Sequence, residues 1–154
     1  PVIFAGIFFA LCKRSHEVWR ATVAFASVAA IAVAIELLID PIVNDVVSVI
    51  ILGFLCGAMG FLVARTKLSS LAAIFAGLPI GDVIATVVGK YAYGTPLSFG
   101  SAAMFDAIIL AAVFSVALFE AVAAVKRTMN ARAKVNAELA EEFDPDEYKK
   151  YFDE

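Results

Sequence analysis

Apolar residues fill long, nearly continuous stretches of this chain, and most polar residues gather in the connections between them. The long stretches cover residues 18–39, 46–64, 68–89 and 99–125, and a shorter one covers residues 1–12. A helix needs about 20 mostly apolar residues to cross the hydrocarbon core of a bilayer. The first stretch is too short to span by itself. The pattern therefore predicts an all-α, polytopic transmembrane helix bundle of about five spans, with the first span truncated or only a half-span.

The composition supports the membrane class. Of the 154 residues, 62% are hydrophobic, and the mean hydropathy is +0.90. Soluble domains contain roughly 45–50% apolar residues, so a soluble fold of this size could not bury so much apolar surface. We expect one membrane domain over residues 1–125, followed by a charged tail over residues 126–154 that begins as a helical extension of the last span.

The basic residues indicate the orientation. If the five segments alternate across the membrane, only Lys90 of the twelve Lys and Arg residues falls on one side. Because bases accumulate in cytoplasmic loops, we expect a multi-pass protein of the cell membrane, of the prokaryotic plasma-membrane kind, with its C-terminus in the cytoplasm. The bases are few and scattered over loop ends, so nucleic acid is not an expected partner.

Small residues form stripes on two of the predicted spans. Residues three or four apart lie on one face of a helix, and spans associate closely where such faces carry small side chains. The stripes consist of Gly53, Gly57 and Gly60 in the third segment, and of Ala73, Gly77, Gly81 and Ala85 in the fourth. We expect these two segments to pack as a tight hairpin. The alternative is that the stripes contact a partner subunit or a second copy.

Three carboxylates interrupt the apolar segments at similar depth, near the ends opposite the cytoplasmic side. They are Glu36, Asp82 and Asp106. A charge in the hydrocarbon core is costly, so such residues usually face the bundle or water and have a function or a partner. If they converge, they form an ion or proton site, and Pro79 would free a backbone carbonyl near Asp82. The alternatives are a structural or interfacial role, and pairing with bases of another membrane protein.

Catalytic chemistry is not indicated by any motif. His16 is the single histidine and lies in a basic connection, and Cys12 and Cys56 are spaced like core residues rather than like a metal or disulfide pair. The chain lacks a phosphate-binding glycine loop and the HExxH pattern. We therefore expect neither an enzyme nor a bound cofactor or metal.

The end of the tail combines aromatic and charged residues. Tyr148, Tyr151 and Phe152 stand among acids and lysines in a stretch too short to bury them. This stretch is either a solvated end or a docking peptide for a cytoplasmic partner. The leading hypothesis is a small accessory or structural subunit of a membrane assembly, with partner contacts through the small-residue faces and the tail. The alternative is a proton- or cation-coupled transporter or channel that uses the three carboxylates.

Overall fold

The computed structural model describes residues 1–12, 15–38, 44–94 and 102–142. Five α-helices form within these ranges, and the second to fifth follow one another with short connections. Their bounds are α1 Val2–Leu11, α2 Ser15–Leu38, α3 Asp45–Ala64, α4 Lys67–Tyr93 and α5 Ala102–Glu142. The all-helical architecture expected from the apolar pattern is confirmed.

Four of the helices in the described ranges are long and apolar enough to cross a membrane. The candidate spans are Glu17–Leu38, Val46–Ala64, Lys67–Ala92 and Met104–Ala137. The helix α1 has 10 residues, which corresponds to about 15 Å of rise, or half of a hydrocarbon core. The chain is thus a multi-pass membrane protein in which α1 covers only part of a span.

The chain divides into two compact units. The first, Pro1–Phe119, contains α1 to α4 and the first part of α5, and it forms the helix bundle. The second begins at Glu120, and its described part consists of the later turns of α5. From Glu120 to Ala137, almost all side chains are exposed. The close glycine and aromatic contacts between helices lie within the first unit.

A two-residue turn joins α3 to α4. Arg65 adopts a left-handed backbone conformation with φ 59°, and its N–H donates to the carbonyl of Phe61, which ends α3. Thr66 then begins α4, because its side-chain oxygen accepts a hydrogen bond from the N–H of Ser69 at 3.2 Å. This is the usual way to satisfy a free N–H in the first turn of a helix. The turn brings α3 and α4 together as antiparallel neighbours.

The helices α2 and α4 are parallel and pack closely through glycine. A Cβ added at Gly77 would lie 2.8 Å from Val28, and one added at Gly81 would lie 2.5 Å from the Cβ of Ala32. The two contacts advance by four residues on each helix, so the chains run in the same direction. Only a residue without a side chain permits this approach.

The helices α3 and α5 are also parallel and also meet through glycine. A Cβ at Gly53 would lie 2.7 Å from the side chain of Leu110, and one at Gly57 would lie 2.7 Å from the backbone oxygen of Ala111. Two edge-on aromatic pairs lie along the same contact, one beside the glycines and one beyond Gly57. They are Phe54 with Phe114, at 4.5 Å between ring centroids, and Phe61 with Phe119, at 4.7 Å.

These contacts correct one expectation about the stripes. The third and fourth segments do form an antiparallel hairpin, but their stripes do not face each other, because α3 presents Gly53 and Gly57 to α5 while α4 presents Gly77 and Gly81 to α2. Gly60 is the exception, since it faces Ser70 and Ile74 of α4. A glycine can pack against a neighbour of any size. Apart from Gly60, the glycines of the α3 stripe therefore contact α5, and those of the α4 stripe contact α2.

The hydrophobic core lies between α2, α3, α4 and α5. Its buried residues are Val28, Ala32, Ile35, Leu52, Cys56, Ile74, Leu78, Met104, Ala107, Ile108 and Ala111. The helix α1 lies outside this core against α4, where the rings of Phe4 and Phe8 contact Phe75 at 5.8 and 5.7 Å. The four long helices therefore fill the interior with their own side chains.

Candidate functional site: buried polar groups of the bundle

A pair of serines lies in the interior near the end where α4 begins. The hydroxyls of Ser70 in α4 and Ser115 in α5 are 2.6 Å apart, and both residues are fully buried. Gly60 of α3 closes the third side, because a Cβ at that position would approach the Ser70 oxygen to 2.6 Å. The pair joins α4 to α5 by a polar contact within an apolar core.

Ser69 forms a second buried polar cluster at the same end. Its hydroxyl accepts from Thr66 Oγ1 at 2.8 Å and donates to the backbone carbonyl of Glu17 at 3.3 Å. The Sγ of Cys12 lies 3.7 Å from the same hydroxyl. The start of α4 is thereby tied to the start of α2 and to the residue that follows α1. Each hydroxyl has a partner, which is the arrangement of a structural contact.

Both cysteines are free and buried. Cys56 is fully buried in the core, and its Sγ donates to the carbonyl of Val28 in α2 at 3.9 Å. Cys12 is 7% exposed beside Ser69. The core role that their spacing suggests agrees with these positions.

The three carboxylates occupy different surroundings. Asp82 of α4 is buried, with 9% of its surface exposed, and it has an interaction partner within the chain. Glu36 of α2 is half-buried and also has a partner. Asp106 of α5 is exposed, because its neighbours Met104 and Ala107 take the core-facing positions of that turn.

The structure therefore places Asp82 inside the bundle and Asp106 on an exposed face of α5. In the part of the chain that the structure describes, three or more His, Cys, Asp or Glu side chains nowhere gather in a group that could hold a metal ion. An ion or proton site that joins Glu36, Asp82 and Asp106 remains a prediction.

The buried serines were not found by sequence reasoning, and one of them differs from the others. Ser48 of α3 is 6% exposed, and its hydroxyl has no hydrogen-bond partner among the described residues. The N–H of Ser48 donates to the carbonyl of Asn44 in the first turn of α3. A single serine among apolar residues gives no warning in a sequence, since most such hydroxyls bond to their own helix.

The later turns of α5 form an exposed helix. All side chains from Ala124 to Ala137 are exposed, including Met129 at 65% and Val135 at 52%. The aromatic residues predicted to dock a partner, Tyr148, Tyr151 and Phe152, lie outside the described residues.

Long apolar helices packed through glycine around a filled core define a polytopic integral membrane protein. The family comparison makes the class specific: residues 2–140 match the model of the YphA-like integral membrane proteins, and the chain belongs to that family. Neither the curated proteins nor the solved structures contain a match.

Proposed function

We propose that this chain is a small, non-enzymatic accessory or structural subunit of a membrane protein assembly. The observation that supports this most directly is the exposed helix formed by the later turns of α5. A helix in water is stabilised mainly by packing one of its faces, and short isolated helices are marginal. A run from Ala124 to Ala137 with every side chain exposed is better explained by a partner that packs against it.

The character of this exposed helix suits a protein partner. Met129 and Val135 present apolar surface, and four bases, Lys126, Arg127, Arg132 and Lys134, surround them. Apolar anchors within a charged rim are the usual composition of a helix that docks into a groove. The aromatic residues at the end of the tail would extend the same contact.

The glycine faces are less suited to partner contact than the sequence suggested. Gly53 and Gly57 are occupied by α5 of the same chain, and Gly77 and Gly81 by α2. Contact with other subunits would therefore use the outer faces of the spans and the exposed part of α5. The unequal distribution of bases supports a protein of the cell membrane in which the exposed part of α5 lies on the cytoplasmic side.

Site-specific photo-cross-linking in native membranes tests the proposal. A photoreactive residue at Val135, in the exposed helix, is compared with one at Val113, which is 63% exposed on the span of α5. We expect one discrete protein adduct from Val135 and mainly lipid adducts from Val113. Absence of a discrete adduct at Val135, together with a monomeric protein in mild detergent, would contradict an accessory role.

A second candidate function is proton- or cation-coupled transport. It is favoured by the burial of Asp82, since an acid held inside a membrane bundle is a common element of ion pathways. Reconstituted protein would then show a cation or proton flux that Asp82→Asn reduces at least tenfold, whereas Asp106→Asn, on the exposed face, reduces it less. Flux that is absent, or unchanged in Asp82→Asn, would eliminate this candidate.

A further inference from the structure

Three basic side chains lie at the end of the bundle where α2 and α4 begin and α3 ends. Arg20 is in the first turns of α2, Arg65 forms the turn after α3, and Lys67 begins α4. We call this group the basic turn. Glu17, at the start of α2, contributes one negative charge nearby, so the excess is positive.

Close packing beneath the basic turn joins the helix that carries Arg20 to the helix that Arg65 ends. Ala24, Ala64 and Ala73 form a fully buried cluster that joins α2, α3 and α4. Arg20 precedes Ala24 by one helical turn on the same face, and Arg65 follows Ala64 directly. Small side chains bring the backbones close together, and Arg20 and Arg65 therefore lie at the edges of the same buried cluster.

The backbone of Arg65 is strained. Arg65 has the only positive φ of a non-glycine residue in the described chain, at 59°. Glycine is the usual residue at this position after a helix, because a Cβ is unfavourable in the left-handed region. An arginine that persists in such a conformation points to a use for its side chain.

Trp19 places the basic turn at the membrane surface. Its side chain is 67% exposed and directly precedes Arg20. Tryptophan is enriched at the boundary between hydrocarbon and headgroups, where one part of the ring is apolar and the N–H can reach polar groups. The charges of the basic turn then lie at the depth of lipid phosphates.

We propose that the basic turn binds the phosphate headgroup of an anionic phospholipid. Arginine presents a planar fork of N–H donors that matches two phosphate oxygens, and Arg20 and Arg65 supply two such forks. Bases between helix ends at the membrane surface are the usual elements of headgroup sites. Lys67 adds positive charge to the same position, and Trp19 contacts the upper acyl chain.

Fluorescence of Trp19 tests this directly, because it is the single tryptophan of the chain. The full-length protein is placed in bilayers that contain either brominated phosphatidylglycerol or brominated phosphatidylcholine, and quenching by each lipid is compared. We expect the anionic lipid to quench more strongly at equal mole fraction. Arg65→Gly and Arg20→Gln should each lower this preference about three- to fivefold.

Lys90→Gln is the matched control. It also removes one positive charge, but from the last turn of α4, away from the basic turn. We expect it to leave the preference unchanged. An equal effect of Lys90→Gln and Arg65→Gly would mean that only the total charge matters, and it would overturn the proposal. Inorganic phosphate at millimolar concentration should not reverse the quenching, whereas reversal would assign the site to a soluble anion.

Thermal stability separates binding from folding. Glycine relieves the strain at position 65, so Arg65→Gly should raise the unfolding midpoint by about 2–5 °C while it weakens the lipid preference. Arg65→Asn, which also tolerates the left-handed region, should weaken the preference without loss of stability. A full lipid preference in both variants would refute the role of Arg65.

Discussion

The hydroxyls of Ser70 and Ser115 lie 2.6 Å apart in the interior of the bundle. Either single change to alanine leaves one buried hydroxyl without its partner, and we expect a loss of about 1–2 kcal/mol in the free energy of unfolding for each. The double variant should lose less than the two single losses together, with a coupling of about 0.6 kcal/mol or more. Reversible unfolding in detergent gives the free energy of unfolding of the wild type, the two single variants and the double variant. Strict additivity would show that the hydroxyls do not interact.

The buried thiols provide a direct probe of folding. Cys12 is 7% and Cys56 0% exposed, and both are free. A thiol-reactive fluorophore should therefore react slowly with the folded protein and rapidly once the bundle opens. We expect a sigmoidal increase of fluorescence on heating, with Cys12→Ala retaining the transition through Cys56. Fast labelling of Cys56 at low temperature would contradict its buried position.

Gly57 should not tolerate alanine. The added Cβ would lie 2.7 Å from the backbone oxygen of Ala111, which cannot move without shifting α5. We expect Gly57→Ala to lower the free energy of unfolding by about 1–3 kcal/mol. Gly6→Ala is the control, because no atom lies within 4 Å of the added Cβ. Thiol unmasking at a lower temperature in Gly57→Ala, and not in Gly6→Ala, is the expected result.

The contact between α2 and α4 can be tested by exchange. Gly81→Ala would bring two Cβ atoms to 2.5 Å, whereas the additional change Ala32→Gly removes one of them. The single variant should be destabilised by about 1–3 kcal/mol, and the double variant should recover much of this loss. The single variant Ala32→Gly is the reference, because it measures the loss of the buried methyl group alone. If the double variant does not recover stability, Gly81 and Ala32 are not in contact.

Thr66 should stabilise the start of α4. Thr66→Ala removes the acceptor for the N–H of Ser69 and the donor to its hydroxyl, so we expect a loss of about 1 kcal/mol or slightly more. Thr66→Ser should retain most of the stability. Thr22→Ala is a matched control, since Thr22 bonds only to Val18 of its own helix and is exposed. A similar midpoint shift in both alanine variants would exclude a specific capping role.

The helices could be predicted from the sequence because the bilayer sets both requirements. Its thickness sets the length of an apolar span, and its low polarity confines most charged residues to the connections. The apolar runs 46–64 and 68–89 differ from α3 and α4 by only a few residues at either end, since Arg65 and Thr66 separate them. The last helix continues beyond the predicted span, which ends at residue 125. The helix α5 reaches Glu142, which confirms the helical extension expected at the start of the tail.

The pairing of the helices could not be predicted in the same way. A stripe such as Gly77 and Gly81 indicates a close neighbour but does not say which helix supplies it, since any span with the right depth can fit. The burial of Asp82 and the exposure of Asp106 could not be predicted for a similar reason. Both acids interrupt apolar runs, and only the rotation of each helix in the bundle decides which faces inward.

The glycine contacts also have a consequence for the order of synthesis. Apart from Gly60, the close glycine pairs join helices separated by one other helix, α2 with α4 and α3 with α5. During translation, α3 therefore enters the membrane before its partner exists, and its glycine face remains against lipid until α5 leaves the ribosome. A released chain truncated before Met104 would thus pair α2 with α4 and leave Gly53 and Gly57 of α3 without their partner helix, a surface on which an insertase or chaperone would act.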